Sequence, residues 1–486
     1  MRDLKRLSFC AIIPLFLFIS SCESEERVSP KNTDAFLKDI IAIDREEALL
    51  LYNGENIDVT QASLSLDNDE IIINSDSSQG INLGELYSSE WRESSYSFFR
   101  TELPILKIQT RKNVSIGEEY ASSEFALIEK GKLSLSGNLG IKLRGNTSLT
   151  FPKKSYRLEL WEDEQGQINR DAAVLNMRED DDWLLDGMWN EPLSIRDKSA
   201  MEICLSFARV QDVDASDISL GGAREYCELF IDGVYKGLYY IGERLDRKQL
   251  KLEKCNDQSD GGELYKAKAW DAAVIAFSLP EFDNNDSYWG GYEIKYPQEV
   301  GKYDWQKLKG FIEFFKGNPP DNFENLYPQR VDVDNIIDYF ILINVIGAFD
   351  NAGNNVFIAR KNQSSPYYFV SWDYDTSLGI GINGDPFNLE ASFIQHSVSR
   401  QLWLSPLFKD KLKSRWENLR VNQLSNEKLI SYYQNNHAIL MRNKVYEREA
   451  MISNLSKSLP DPSAMNYLEE TLEQRLAFLD EAIDNL

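Results

Sequence analysis

Gly347-Ala348-Phe349-Asp350-Asn351-Ala352-Gly353-Asn354-Asn355, followed by Val356–Lys361, the link Asn362-Gln363-Ser364-Ser365-Pro366, and Tyr367–Trp372 ending in Asp373-Tyr374-Asp375, is the stretch on which the fold reading turns. Two largely apolar runs separated by a polar, Pro-containing link predict a β-hairpin. Symmetric pairing about the link sets Lys361 against Tyr367 and Val356 against Trp372, and one step further Asn355 faces Asp373. Opposed Cα atoms in such a pair lie about 4.5–5.5 Å apart, close enough for an amide oxygen and a carboxylate to share a cation. Asp375 points to the same side as Asp373 if the strand continues. Asp350 precedes Asn355 by five positions. Against this stands the plainer reading of a hairpin with polar ends, since Asp/Asn/Gly-rich runs are usually turns.

Outward from the hairpin, Val333–Ala348 repeats apolar residues at three and four (Ile336, Ile337, Phe340, Ile341, Val345), as does Asp304–Phe315, so both predict helices. Leu407–Asn485 reads as amphipathic helix interrupted near Ser458–Pro462. Toward the N-terminus the period becomes that of strands: Leu103–Ile108, Gly140–Leu143, Ser155–Leu160, and Glu228–Ile231 with Leu238–Ile241 flanking the turn Asp232-Gly233, a strong hairpin signal. A helix is expected near Ile195–Phe207. Leu64-Ser65-Leu66 and Ile71-Ile72-Ile73 read as short strands of a small β-rich module over 36–100, to which no chemistry attaches. The whole predicts an α+β chain with a mostly antiparallel front and a helical back, the outline of a bilobal kinase-like fold, the main domain covering 103–480.

Composition narrows the function. A hydrophobic fraction of 42% fits a folded globular chain, and the net charge of −25, with no Lys/Arg cluster, excludes a nucleic-acid partner. So acidic a protein repels a nucleoside triphosphate unless a metal or a local basic group intervenes. Arg2, Lys5 and Arg6 precede the short apolar run Leu7–Ile19, which ends in Ile19-Ser20-Ser21-Cys22. This predicts a lipoprotein signal peptide over 1–21, acylation of Cys22 and a polar tether over 22–35, giving a membrane-anchored protein of the cell envelope, at the outer membrane or cell surface. Simple secretory cleavage near Ser21 is the competing reading. Glu23-Ser24-Glu25-Glu26 is similar to an acidic surface-export tag. Cys204, Cys227 and Cys255 allow one disulfide or three free thiols. His396 and His437 stand alone, without the spacing of a zinc site.

A second candidate is Arg144-Gly145-Asn146-Thr147-Ser148 leading into Lys153-Lys154-Ser155-Tyr156-Arg157-Leu158-Glu159-Leu160. Tyr156, Leu158 and Leu160 alternate toward the core and Lys154 shares their side, an inward lysine that calls for an anion. Lys153 and Arg157 take the solvated face. Arg144, Asn146 and the Gly145 amide offer a phosphate cradle.

These motifs, together with Leu184-Leu185-Asp186-Gly187, Ile195-Arg196-Asp197-Lys198, Glu228–Glu243 and Trp372-Asp373-Tyr374-Asp375, occur in the order seen in spore-coat protein H (CotH) kinases, and the chain resembles that family over roughly 103–480. The Asp-x4-Asn spacing of Asp350 and Asn355 matches a kinase catalytic loop. The resemblance implies an ATP- and magnesium- or manganese-dependent kinase acting on Ser/Thr of a protein acceptor. Asp350 would be the base, Asp373 the main metal ligand with Asn355 and Asp375 assisting, Lys154 the phosphate lysine, and Glu243 a residue near the nucleotide. Asn351-Ala352-Gly353-Asn354 and Asn190-Glu191-Pro192 depart from the usual family residues without removing a required ligand. A kinase-like surface protein used for binding or adhesion is the rival reading, and a metal-dependent hydrolase a third.

Overall fold

Residues 37–486 are described by the structure, a computed structural model, apart from 38, 57–63, 75–79, 211–219, 257–259, 271, 273–278, 299–302, 317–318, 454 and 456. The expected signal peptide, tether and Cys22 lie outside the described residues.

Strands β1 (Ile41–Asp44), β2 (Leu49–Tyr52), β3 (Leu64–Leu66), β4 (Asp69–Asn74), β5 (Leu86–Trp91) and β6 (Ser94–Arg100) form one sheet in the order β1-β2-β6-β5-β4-β3. Its alternation is plain in β5, where Tyr87, Ser89 and Trp91 are buried and their neighbours exposed. One face closes over Leu50, Trp91 and Phe98. The other packs Leu49, Leu51 and Phe99 against Ile105, Phe230, Tyr235 and Ile452 of the main body. Asp44 accepts from the Tyr235 amide at 2.8 Å, and the buried Lys107 ammonium donates to the carbonyls of Asp39 and Ile41. The module expected over 36–100 therefore shares a core with the main domain.

The predicted antiparallel front is a closed barrel. Strands β7 (Ile105–Thr110), β8 (Ala121–Glu129), β9 (Lys132–Arg144) and β10 (Ser155–Trp161) come first; β11 (Ala172–Ala173) pairs separately with β12 (Glu179–Asp180); then come β13 (Asp182–Asp186), β14 (Arg224–Ile231) and β15 (Val234–Glu243). The barrel order is β10-β13-β15-β14-β7-β8-β9, antiparallel except for β14 with β7. Asp232 and Gly233 both have positive φ (53° and 76°), as the tight β14–β15 turn demands. Tyr156, Leu158 and Leu160 meet Trp183, Leu229 and Tyr239 inside, and closure leaves no open edge.

A second sheet, β17-β18-β16-β19-β20, is built from β16 (Glu263–Ala267), β17 (Tyr288–Trp289), β18 (Tyr292–Tyr296), β19 (Val356–Arg360) and β20 (Tyr368–Ser371). Helix Val333–Val345 lies against β20, its N-terminus capped by Asp332, whose side chain accepts from the Asn335 amide. Helices Arg196–Phe207, Pro406–Arg420 and Ala464–Asp484 surround it, so its residues from Asn335 onward are buried on every side. No helix among the described residues is long and apolar enough to cross a membrane. Cys204, Cys227 and Cys255 are free, the first two buried.

The hairpin register differs from the symmetric one by a residue: Val356 pairs with Ser371 rather than Trp372. Tyr367 explains the shift. Its amide donates to the Arg330 carbonyl at 2.9 Å and its carbonyl accepts from the Asp332 amide at 2.8 Å. That backbone is committed to the start of the buried helix and leaves Lys361 unpaired with it.

Candidate active site

A cavity of about 340 Å³ opens between the barrel and the second sheet. Arg144, Asn146, Ser148 and Asp186 line it from the barrel, and Lys266, Asp350, Asn354, Asn355, Asp373 and Asp375 from the other side. The two ends of the β19–β20 hairpin thus reach one space despite the shifted register. Both Asn355 (φ 49°) and Asp373 (φ 64°) are left-handed, a conformation Asn and Asp tolerate better than most residues. The kinks break strand alternation, so a slip that would otherwise turn one side chain away does not separate them.

Asn351, wholly buried, fastens these ends together. Its Nδ2 donates to the carbonyl of Asn355 at 3.0 Å and to that of Trp372 at 2.8 Å, while its own carbonyl accepts from the Tyr339 hydroxyl at 2.5 Å. Asp350 sits on the single 3-10 turn Asp350–Ala352. Its Oδ2 accepts from Asn355 Nδ2 at 2.7 Å and Asn354 Nδ2 at 3.2 Å, and its carboxylate also takes a hydrogen bond from the Trp270 side chain. Burial raises its pKa above the usual carboxylate range, and these donors pull it part of the way back.

Asp373 and Asp375 are half-buried acids that face the cavity. Burial, then the charges of Asp197 and Asp186, raise Asp373 to about 6, against the pull of Arg144 and Lys266. Asp375 is raised well above its ordinary value, first by burial and then by Asp373, with Asn190 Nδ2 donating to its Oδ2 at 2.6 Å. Asp197 accepts from the Tyr374 amide at 2.8 Å and pairs with Arg224 at 2.9 Å, which positions the Asp373–Asp375 segment. Adjacent carboxylates out of bulk water are costly unless a cation joins them. The donors suit a hard divalent ion: two carboxylates, the Asn355 amide oxygen, and the Asn354 Oδ1, which is buried and makes no hydrogen bond. The groups of three carboxylates with oxygens within 4.8 Å lie elsewhere among the described residues, at Glu159, Asp181 and Asp182 and at Asp171, Asp180 and Asp181. Arg157, Arg178, Arg244 and Lys248 already neutralise them.

Two expected nucleotide residues are not brought here. Lys154 precedes β10 rather than belonging to it, and its ammonium folds back onto the carbonyls of Leu149 and Phe151, both at 2.7 Å. Lys153, expected in solvent, is the buried one. It pairs with Glu449 and donates to the Leu238 carbonyl, with its ammonium 4.7 Å from the Tyr239 ring centre. An acid nearly three hundred residues away supplies the counter-charge that alternation within one strand does not reveal. Glu243 is buried at the barrel end, accepting from the amides of Ala223 (3.0 Å) and Arg178 (3.1 Å) and from Gln249 Nε2 (3.1 Å), and it does not line the cavity. Arg144 and Asn146 do line it, Arg144 paired with Asp186 at 2.7 Å.

Sequence alone assigns no role in the site to Lys266, Asn354 or Asn190. For Lys266 a signal existed: in Leu264-Tyr265-Lys266 it shares a strand face with Leu264, which is buried against Phe357 and Trp372.

The chain is similar in sequence to known proteins. The family model described as "CotH kinase protein" matches residues 141–479, a span that contains every residue of the cavity. Inner spore coat protein H of Bacillus subtilis (strain 168) is 23% identical over 250 residues, 51% of this chain and 61% of that protein, so less than two thirds of the relative's length is covered. The crystal structure of a Helicobacter pylori proinflammatory kinase, CtkA, aligns over 67% of this chain and 92% of its own with 12% identity and a TM-score of 0.27. By the match across most of its length, the chain belongs to the CotH kinase family.

Proposed function

We propose that the protein is a phosphotransferase that moves the terminal phosphoryl group of ATP to a Ser or Thr hydroxyl of a protein acceptor, with magnesium or manganese in the cleft between a barrel lobe and a helical lobe. One observation carries the reading: Asp350, hydrogen-bonded to Asn355, shares a cavity with the half-buried pair Asp373 and Asp375. Phosphoryl transfer asks a protein chiefly for positioning and charge neutralisation. Asp373, Asp375 and the amide oxygen of Asn355 would hold the metal, which neutralises phosphate charge when bound. Asp350 orients the acceptor hydroxyl and takes its proton as the new O–P bond forms and the bond to ADP breaks. Its raised pKa suits a group that must hold that proton briefly. Arg144 and Asn146 flank the phosphates from the barrel side. The same reading includes export and an acylated Cys22 that holds the enzyme at the cell envelope.

Incubating the purified protein with labelled ATP, Mg²⁺ or Mn²⁺ and a generic protein acceptor tests it. Transfer that is abolished in both Asp350→Ala and Asp373→Ala, with both variants still folded, is the expected result. A wild-type protein that binds neither ATP nor Mn²⁺ overturns the proposal and leaves the surface-binding reading in its place.

A further inference from the structure

The cavity's cations differ in one respect. Arg144 is held by Asp186, and Lys295 and Lys268 share Glu293 at 2.7 and 3.3 Å. Lys153 is bound to Glu449, and Lys154 lies outside on its own loop carbonyls. The Lys266 ammonium, alone of these, makes no hydrogen bond or ion pair among the described residues. Its ammonium stands 5.6 Å from the Phe357 ring centre and 5.9 Å from that of Trp372.

Its place is set by the sheet. Lys266 pairs with Phe357 on β19, two residues beyond Asn355, and lines the cavity with Asp350 and Asp373. Its pKa is lowered to about 8, so loss of water outweighs the attraction of Asp373. An ammonium kept among aromatic rings without a direct ion pair is a cost that folding alone does not explain. The catalytic segment Asp350-Asn351-Ala352-Gly353-Asn354-Asn355 contains no basic residue that could meet a phosphate beside the acceptor.

We infer that Lys266 is the phosphate-binding lysine of the site, contacting the terminal phosphate of the bound nucleotide from β16 across the cavity from the Arg144–Ser148 loop. This rests on the phosphotransferase reading and assigns to Lys266 the contact that the sequence placed on Lys154. Lysine suits the position as a compact point charge that meets phosphate once water is displaced.

The test compares wild type with Lys266→Met, Lys266→Arg and Lys154→Met by calorimetric titration with ATP, ADP and adenosine in the presence of Mn²⁺. Lys266→Met should weaken ATP binding about 10- to 100-fold, the range for a hydrogen bond to a charged group, and leave adenosine binding unchanged. Lys266→Arg should recover part of the loss, and Lys154→Met should bind ATP as wild type does. In denaturant, Lys266→Met should be as stable as wild type or more so, because it removes an unpaired ammonium; a marked loss of stability would identify a structural lysine and overturn the inference. Wild-type ATP binding that Lys266→Met leaves intact sinks this inference alone, whereas no ATP binding by wild type sinks the phosphotransferase reading with it. Should Lys266→Met fail to fold, an ATP affinity in Lys266→Arg and Lys266→Gln equal to wild type overturns the assignment as well.

Discussion

Replacing Asn351 should uncouple the two ends of the β19–β20 hairpin. The side chain is wholly buried, and its Nδ2 is shared by the Asn355 and Trp372 carbonyls at 3.0 and 2.8 Å. Asn351→Ala deletes both bonds. At about 0.5–1.5 kcal/mol for each bond removed, the loss of stability is about 1–3 kcal/mol. Asn351→Asp is nearly isosteric but faces two carbonyl oxygens with a carboxylate, and should cost more than the alanine variant. The effect on the site should exceed the effect on the fold. Asn355 owns one of the tied carbonyls, Asp373 directly follows the other, and both have left-handed backbone conformations. Urea denaturation measures the first quantity, and titration with Mn²⁺ in the presence of ATP measures the second. Affinity for Mn²⁺ should fall at least about tenfold, the equivalent of about 1.4 kcal/mol. If Asn351→Ala unfolds at the wild-type urea concentration and binds Mn²⁺ with wild-type affinity, the hairpin ends hold themselves and the role given to Asn351 is wrong.

Glu449→Gln leaves the buried Lys153 ammonium and the half-buried Lys457 ammonium without their shared carboxylate, and urea denaturation should show a loss of about 3–5 kcal/mol. His396 is buried edge-on to Phe369, and burial lowers its pKa from 6.5 to about 4. Between those values the unfolded chain binds the proton and the folded one does not, so stability falls as pH drops from 6.5 to 4, by up to about 3 kcal/mol; His396→Phe should flatten that part of the stability profile. Gly145→Ala places a Cβ 1.7 Å from Ser148 Oγ at a φ of +117°, so the loop must move. ATP affinity should fall by calorimetry while the urea midpoint shifts little, because the strain is confined to an exposed loop.

What could be read in advance was local. The Asp232-Gly233 turn, the alternation of β10 and the periodicity of Val333–Val345 each express one element's own preference, and the structure keeps them. The gathering of Asp350, Asn355 and Asp373 was legible too, because residues at the two open ends of a short hairpin are close in almost any register. The register was out of reach because Tyr367 is bonded to residues 330–332, a partner that hairpin symmetry ignores. The lysines failed for a related reason. An inward lysine on an apolar strand needs an anion, but which lysine is inward depends on where the strand begins: β10 starts at Ser155, one residue after Lys154. The same rule applied to Leu264-Tyr265-Lys266 points into the cavity. Closure of the barrel rests on β9 meeting β10 and on the parallel β7–β14 pair, a long-range contact that no single segment advertises.

The buried amine on β7 bears on where this protein can be cut. Leu103 looks like a natural starting point for a shortened chain, yet Lys107 donates to the carbonyls of Asp39 and Ile41, and the Tyr235 amide donates to Asp44. Trimming the first hundred residues would remove both of those carbonyls and bare the apolar wall of Phe230 and Tyr235. The leading sheet is thus a fixed flank of the barrel, and a fragment lacking it should clump before it can be assayed.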